Sequence, residues 1–164
     1  REITDFHDIM DIMNKCDTCR LALFDQEYPY IVPLNFGVNI EDGQLYLYFH
    51  SANQGTKLDL IRQNNKATFE MDCEHNIILY DERMSCTMGY ASVIGHGEIE
   101  FVDEDDKYEA LKILMKHYHH EDFQFNTNMM KATTVLRLKV LDMIGKRRNN
   151  IHPEEKTKKH VTLE

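Results

Sequence analysis

Apolar residues recur along this chain with two periods, one typical of helices and one typical of strands. Near the N-terminus, Phe6, Ile9, Met10 and Met13 follow helical spacing. Thr4 precedes them and is a residue type that commonly caps helices. This first segment therefore predicts a short amphipathic helix.

A series of short segments with strand character follows, and the turn sequence EDG at residues 41–43 predicts a hairpin between the second and third of them. In the third segment an apolar set alternates with a more polar set, as expected for one buried face: Leu45, Leu47 and Phe49 against Tyr46, Tyr48 and His50. The predicted strands cover residues 20–25, 30–36, 44–50, 67–72, 76–80, 90–101 and 133–141.

The last predicted strand also has one apolar face and one wetter face. Its alternating sets are Leu136, Leu138 and Val140 against Val135, Arg137 and Lys139. Within segment 90–101, Gly95 and Gly97 predict a β-bulge or a close approach of two backbones. Several short strands at such spacing are typical of a barrel.

Two more helices are predicted between the strands. The first is small, covers residues 56–63 and follows a break at residues 51–55. The second begins near Asp103, a good cap that is followed by three acidic residues. The apolar stripe of this second helix consists of Tyr108, Leu111, Met115 and Tyr118.

Together these elements predict a mainly β (α+β) protein, a barrel with a few peripheral helices. Its length of 164 residues suits one domain, which we assign to residues 1–148. Beyond Gly145 the apolar period ends. Residues 149–164 are therefore expected to be a charged, loosely ordered C-terminal tail.

Net charge and apolar run lengths limit the classes of partner. The formal net charge of −9 predicts repulsion of nucleic acid and of anionic membranes. The apolar runs are too short for a membrane span, and the first residues lack a signal-peptide pattern. A cytoplasmic protein is the resulting expectation, and four cysteines in a chain of this length are expected to be reduced.

The most informative stretch is LYLYFHSANQGTKLDLI, residues 45–61, in which a strand passes through a small-residue loop into a helix. Free backbone N–H groups and the helix dipole at such a junction attract anions. Ser51, Thr56 and Lys57 add two hydroxyls and a positive charge. A phosphate site is one interpretation, and a simple strand-to-helix connection is the other, since the Walker spacing is absent.

Four blocks in order give a more specific indication. They are YPYIVPLNFG at residues 28–37, FHSANQGTKLDLI at 49–61, CTMGYASVIGHGEIEFV at 86–102 and VLRLKVLDMIGK at 135–146. This series resembles the pyridoxamine 5′-phosphate oxidase-like flavin proteins of the 5-nitroimidazole-resistance (Nim) type. The resemblance implies an FMN-binding split β-barrel that forms a homodimer with the flavin at the interface.

The resemblance also implies site residues in three segments. Pro33, Leu34 and Asn35 would lie along the isoalloxazine ring, and Ser92 and Val93 would belong to the strand that closes the pocket. The phosphate and ribityl region would comprise His50, Ser51, Gly55, Thr56 and Lys57, with Lys57 as the main phosphate partner.

Two of these residues also have plain structural interpretations. A proline within a strand needs an edge or a bulge, so Pro33 fits an edge strand with or without a ligand. His50 could donate a proton to a substrate that accepts hydride, and it could equally be a solvent-facing hydrogen-bonding residue at a strand end.

The implied function is that of a flavin-dependent oxidoreductase that passes reducing equivalents to a small acceptor, with nitroaromatic compounds as the substrate class. FMN is the expected cofactor, and FAD would fit a pocket that is open beyond the phosphate. One alternative is an amine oxidase of the pyridoxamine-phosphate type, for which Arg147 and Arg148 are the only clustered arginines. Another is a non-catalytic flavin- or haem-binding module that uses His50 or a histidine near the C-terminus.

No metal site is predicted. Cys16 and Cys19 have the spacing of half a zinc site, but the second half, from Cys73 with Cys86 or His75, lacks that spacing. The histidines at 117, 119 and 120 are expected to lie at a solvated helix end. The acidic run 103–106 is attributed to helix capping.

Overall fold

A computed structural model describes residues 2–148 as one sheet with helices packed on it. The strands are β1 (Glu2–Ile3), β2 (Cys19–Leu23), β3 (Tyr30–Leu34), β4 (Gly37–Glu41), β5 (Gln44–Ala52), β6 (Lys66–Tyr80), β7 (Ser85–Phe101) and β8 (Thr133–Arg148). The helices are α1 (Phe6–Lys15), α2 (Thr56–Gln63), α3 (Lys107–Tyr118) and α4 (Thr127–Lys131). Single 3-10 turns cover Asp81–Arg83 and Glu104–Asp106.

The sheet is antiparallel and does not close on itself. Its strand order is β3-β2-β6-β7-β8-β5-β4, with β1 added beside β8. The edge strands β3 and β4 are adjacent in sequence, yet the described residues show no pairing between them. The result is the predicted mainly β split barrel with a few peripheral helices.

The barrel interior holds the main apolar core. Leu47 and Phe49 of β5 and Leu136 and Leu138 of β8 are completely buried there, as the alternation predicted. Burying one such side chain stabilises the fold by about 1.5–3 kcal/mol.

A second apolar cluster lies under α3, and it buries two residues that were predicted to face solvent. Tyr48 and Val135 pack there with Ala110 and Leu111 of α3. The sequence predicts both on the polar face of their strands, because alternation alone assigns every second residue to solvent. The packing of α3 removes these two positions from water.

The strand predicted at residues 30–36 is two residues shorter, and a separate edge strand that was not predicted follows it. β3 ends at Leu34, and β4 starts at Gly37 and forms the hairpin with β5 around Asp42 and Gly43. At Gly37 an added Cβ would lie 2.6 Å from the Cα of Leu114, so glycine allows α3 to approach β4 closely. Between Leu34 and Gly37 the chain passes from the β3 edge of the barrel to the β4 edge.

The two segments predicted at 67–72 and 76–80 are one long strand, β6, with an irregularity inside it. Glu74 has a φ of 59°, and the pairing register shifts between Cys73 and Asn76.

The prediction of a bulge or a close backbone approach at Gly95 and Gly97 is confirmed. A Cβ at Gly95 would lie 2.4 Å from the backbone carbonyl oxygen of Asp142 on β8, and the β7–β8 register shifts between His96 and Gly97.

The starts of helices α1 and α3 differ from the predictions. Asp5 rather than Thr4 caps α1, through a bond of 3.1 Å from the Asp8 amide to the Asp5 carboxylate. The run from Asp103 forms a 3-10 turn without a side-chain cap bond, and α3 starts only at Lys107. Capping therefore does not account for the acidic run.

The chain after α3 also differs from the sequence expectation. α4 was not predicted, because Thr127–Lys131 is too short to show a helical period. Strand β8 continues past residue 141 to Arg148, since its second half pairs with β7 and β1. The predicted tail 149–164 lies outside the described residues. None of the helices within residues 2–148 has the length and apolarity needed to cross a membrane.

Candidate functional site

Strand β5, a tight loop and α2 form the junction that the sequence singled out. Gly55 is the N-cap of α2 and has a φ of 145°, a conformation that side chains other than glycine rarely adopt. The first intrahelical bonds run from Leu58 and Asp59 to the Gly55 carbonyl. The amides of Thr56 and Lys57 therefore precede the helical hydrogen-bond ladder and are oriented for an external acceptor.

Lys57 is the central residue of this junction. Its Nζ donates to Ser51 Oγ at 2.8 Å, and Ser51 is itself buried. Desolvation by burial lowers the pKa of Lys57 from its ordinary value. No carboxylate in residues 2–148 lies within 4.0 Å of the ammonium group. The described structure thus contains a half-buried cation without a compensating anion, at the positive end of a helix.

His50 precedes Ser51 on β5 and lies near Lys57. Desolvation by the surrounding protein, followed by the charge of Lys57, lowers the pKa of His50. Although the residue as a whole is exposed, its imidazole is therefore mainly neutral at pH 7. A group that binds as an anion beside Lys57 would reverse part of this shift.

Asn53 anchors the loop between β5 and α2, and sequence reasoning missed it. Its amide nitrogen donates to the Lys131 carbonyl at 2.9 Å, and its amide oxygen accepts from Thr134 Oγ1 at 2.9 Å. These bonds tie the loop to α4 and β8. No local sequence signal could have revealed them, because the partners are about 80 positions away and one of them belongs to an unpredicted helix.

Pro33, Leu34 and Asn35 lie at the outer edge of the sheet, where the proline was expected. β3 pairs only with β2 among the described strands, with Pro33 opposite Arg20 and Leu34 opposite Cys19. Asn35 is exposed and donates to the Asp17 carbonyl at 3.4 Å. The free side of β3 can therefore offer backbone groups to a ligand.

Ser92 and Val93 lie on β7, which pairs with β6 and β8 and not with β5. Ser92 lies opposite Asp72 of β6 and Lys146 of β8. The strand register therefore does not join Ser92 to the β5–α2 junction. The Val93 side chain is fully buried in the main core, so this position can line a pocket only through its backbone.

An acidic cavity beside Arg137 has no residue in common with this junction. It has a volume of about 330 Å³, and its lining includes Tyr48, Arg137 and five carboxylates. Arg137 is already paired with Glu100 at 2.8 Å and with Glu41 at 3.5 Å. Burial and the Glu41 carboxylate raise the pKa of Tyr48 to about 12. Such a cavity repels a phosphate, so the junction is the better anion site.

The remaining candidates are the histidines at the end of α3. The His117 ring forms a hydrogen bond with the Cys16 carbonyl at 2.7 Å and packs on Phe36. The prediction that His117 lies at a solvated helix end is therefore wrong. His119 and His120 are exposed, as predicted. Within residues 2–148, no three His, Cys, Asp or Glu side chains are grouped closely enough to hold a metal ion.

Comparison with known proteins relates this geometry to a family. The sequence pattern of the pyridoxamine 5′-phosphate oxidase family matches residues 5–147. This chain belongs to that family. Comparison with the curated proteins gave no match.

Solved structures agree with the assignment. A candidate 5-nitroimidazole antibiotic resistance protein from Bacteroides thetaiotaomicron shares 30% identity at a TM-score of 0.77, over 88% of this chain and 85% of that one. An FAD- and haem-binding protein from Mycobacterium smegmatis shares 17% identity at a TM-score of 0.77, over 91% and 74%. An FAD-binding protein from the same organism shares 23% at 0.59, over 88% and 96%. The last two show the fold alone, and the first supports the resemblance to the Nim type.

Proposed function

We propose that this protein binds a flavin, FMN in the first instance, with its phosphate at the β5–α2 junction. The observation that carries the proposal is the half-buried Lys57 ammonium group, which has no carboxylate partner among the described residues. A phosphate would supply the missing negative charge. FAD would bind in the same way if its adenylate part extends into solvent.

The residues at the junction offer several hydrogen-bond donors of the kinds that bind a phosphate. The Thr56 and Lys57 amides and the Thr56 and Ser51 hydroxyls can donate to its oxygens, while Lys57 supplies the charge. Gly55 permits the turn that presents these groups. The bound flavin would supply the electron-transfer chemistry, and the chain's own residues bind it, orient it and exclude water.

We further propose that two copies of the chain complete the site. Pro33 and Leu34 lie on the edge strand β3, whose outer side has no strand partner among the described residues, and Ser92 lies on β7, which does not pair with β5. The support for a homodimer is this open edge, which a second copy would cover, together with the resemblance to a dimeric family. In such a homodimer, one copy's β3 edge and Ser92 would face the other copy's Lys57.

The substrate class we propose is a small nitroaromatic acceptor of the 5-nitroimidazole type. Its support is the similarity to the Bacteroides protein and the presence of an imidazole beside the proposed phosphate site. His50 would donate a proton to the acceptor as the acceptor takes up electrons.

Flavin binding should raise the pKa of His50. In the free protein, desolvation and Lys57 lower this pKa below the ordinary value of 6.5, and a phosphate would offset the charge of Lys57. A pH titration of the His50 ring signals by NMR, with and without FMN, measures the change. Riboflavin, which has no phosphate, is the control ligand and should leave the pKa lower than FMN does.

His50→Ala should retain the flavin and slow the reduction of an added 5-nitroimidazole by at least about tenfold, because the proton donor is lost. The holo-protein is assayed anaerobically with a chemical reductant between pH 5 and 8. Wild-type turnover should rise as the pH falls through the His50 pKa, since only the protonated ring donates. The variant should lack this rise, and His7→Ala, an exposed position on α1, should behave as wild type. Equal pH profiles for His50→Ala and wild type would exclude the acid role.

The two alternatives have less support. For an amine oxidase of the pyridoxamine-phosphate type, Arg147 would have to bind the substrate phosphate, but it already contacts Asp11 at 3.2 Å and Glu74 at 3.5 Å. For a haem-binding module, the histidines nearest the C-terminus, His152 and His160, lie outside the described residues, and the remaining ligand candidate is His50.

A further inference from the structure

Cys16 and Cys73 lie next to each other at the C-terminal end of α1. Cys16 is the C-cap of that helix and is 2% exposed, whereas Cys73 lies on β6 and is partly exposed. The Cys16 amide nitrogen and the Cys73 Sγ both approach the Ile12 carbonyl oxygen, at 3.2 Å and 3.8 Å. The two side chains are therefore neighbours, and each thiol affects the pKa of the other.

We propose that Cys16 and Cys73 form a redox-modification site, in which a peroxide converts the two thiols to a disulfide that links α1 to β6. Neither cysteine belongs to the proposed flavin site, so disulfide formation does not depend on flavin binding.

Both sulfurs are at places where the backbone can adjust to the shorter bond. Cys16 ends α1, so its side chain is not held inside a helical ladder on both sides. Directly after Cys73, Glu74 has a φ of 59° and the β6–β7 register shifts. A disulfide requires sulfurs about 2.05 Å apart and tolerates a range of Cα separations, so its formation calls for movement at these two places.

The order of the chemical steps follows from exposure. Cys73, as its thiolate, attacks one oxygen of the peroxide; the O–O bond breaks, the thiol becomes a sulfenic acid, and the leaving oxygen departs as water after protonation. The Cys16 sulfur then attacks the Cys73 sulfur, the S–O bond breaks, and the hydroxyl leaves as water with the proton from Cys16. With hydrogen peroxide as the oxidant, two thiols are oxidised to one disulfide and one peroxide molecule is reduced to two waters.

The surroundings make this oxidation slow at neutral pH. Burial raises the pKa of both thiols, and the shift at Cys16 is large. At Cys73, the Cys16 thiol and the charges of Lys15 and Arg147 partly oppose this shift, while Glu74 adds to it. Since the thiolate is the reactive form, the rate of disulfide formation should increase with pH across the range 7–9.

The other two cysteines provide internal comparisons. Cys19 is completely buried on β2, and burial raises its pKa to about 12. Cys86 is exposed on β7. Neither is expected in the intramolecular disulfide, so the double variant Cys19→Ser/Cys86→Ser retains only the proposed pair.

The test treats this folded double variant with a small excess of hydrogen peroxide, alkylates the remaining thiols in denaturant and measures the mass of the chain without reduction. The expected result is an unalkylated monomer that has lost two hydrogens and yields one cross-linked peptide containing Cys16 and Cys73. Two alkylated thiols, under conditions that oxidise Cys86 fully in the wild-type chain, would overturn the proposal. So would a cross-link found only between chains.

A thermal measurement gives a second, independent readout. The oxidised double variant should melt roughly 5–15 °C above its reduced form, since the cross-link closes a long loop, and dithiothreitol should reverse the shift. With Cys73 also changed to Ser, peroxide should produce no intramolecular cross-link and no such rise. A rise that persists in this triple variant would contradict the assignment to Cys16 and Cys73.

Discussion

Lys57→Ala should weaken FMN binding by roughly 10–150-fold. The variant removes a charge-assisted contact to phosphate, which is typically worth about 1.5–3 kcal/mol. It also removes the only positive charge that we assign to the β5–α2 junction. Isothermal titration of the apo-protein with FMN measures the affinity directly.

Two comparisons make the Lys57 result specific. Lys57→Arg keeps the charge and should retain more affinity than Lys57→Ala. Lys66→Ala removes an exposed lysine at the start of β6 and should bind FMN like the wild type, which controls for the change in net charge. If all three variants bound FMN with the wild-type affinity, Lys57 would not contact the phosphate.

Lys57→Ala should also change the ligand preference of the protein. Wild type should bind FMN more tightly than riboflavin, because only FMN carries the phosphate. In the variant this preference should largely disappear, since the lost contact involves the phosphate and not the ring. An unchanged preference would place the phosphate elsewhere.

Gly37→Ala should destabilise the protein by about 3 kcal/mol, at the upper end for overpacking. An added Cβ would lie 2.6 Å from the Leu114 Cα and 2.7 Å from the Ile113 carbonyl oxygen. These neighbours are backbone atoms of α3, so relief requires the whole helix to move away from β4. Urea unfolding followed by circular dichroism gives the change in the free energy of unfolding.

The matched control for Gly37 is Gly145→Ala. There the nearest atoms are the Ile3 Cβ and the Ile9 Cγ1, both at 3.2 Å, and side chains can yield by a few tenths of an ångström. We expect a cost of about 1 kcal/mol or less. If the two variants lost equal stability, the close approach of α3 to β4 would not be the reason for glycine at position 37.

The strands and the main core could be predicted because their signals are local. Alternation in residues 44–50 and 133–141 identified Leu47, Phe49, Leu136 and Leu138 as core. The same rule failed for Tyr48 and Val135, which α3 covers. Nothing in a strand's own sequence shows which helix packs on its second face.

The candidate site was predictable to a similar degree. Loop chemistry and the four-block resemblance identified Ser51, Gly55 and Lys57, and the structure brings these into one junction. Two features required the three-dimensional fold: the absence of a carboxylate near Lys57 among residues 2–148, and the anchoring bonds of Asn53. They depend on which distant segments meet, a property that one sequence does not reveal.

The central claim is flavin binding, and the absorption spectrum of the purified protein tests it most directly, together with mass analysis of any chromophore released on denaturation. We predict the two visible absorption bands of a bound flavin, either as purified or after addition of FMN, and release of FMN or FAD. A protein that stays colourless with added FMN, or that shows a haem band and no flavin, would contradict the account.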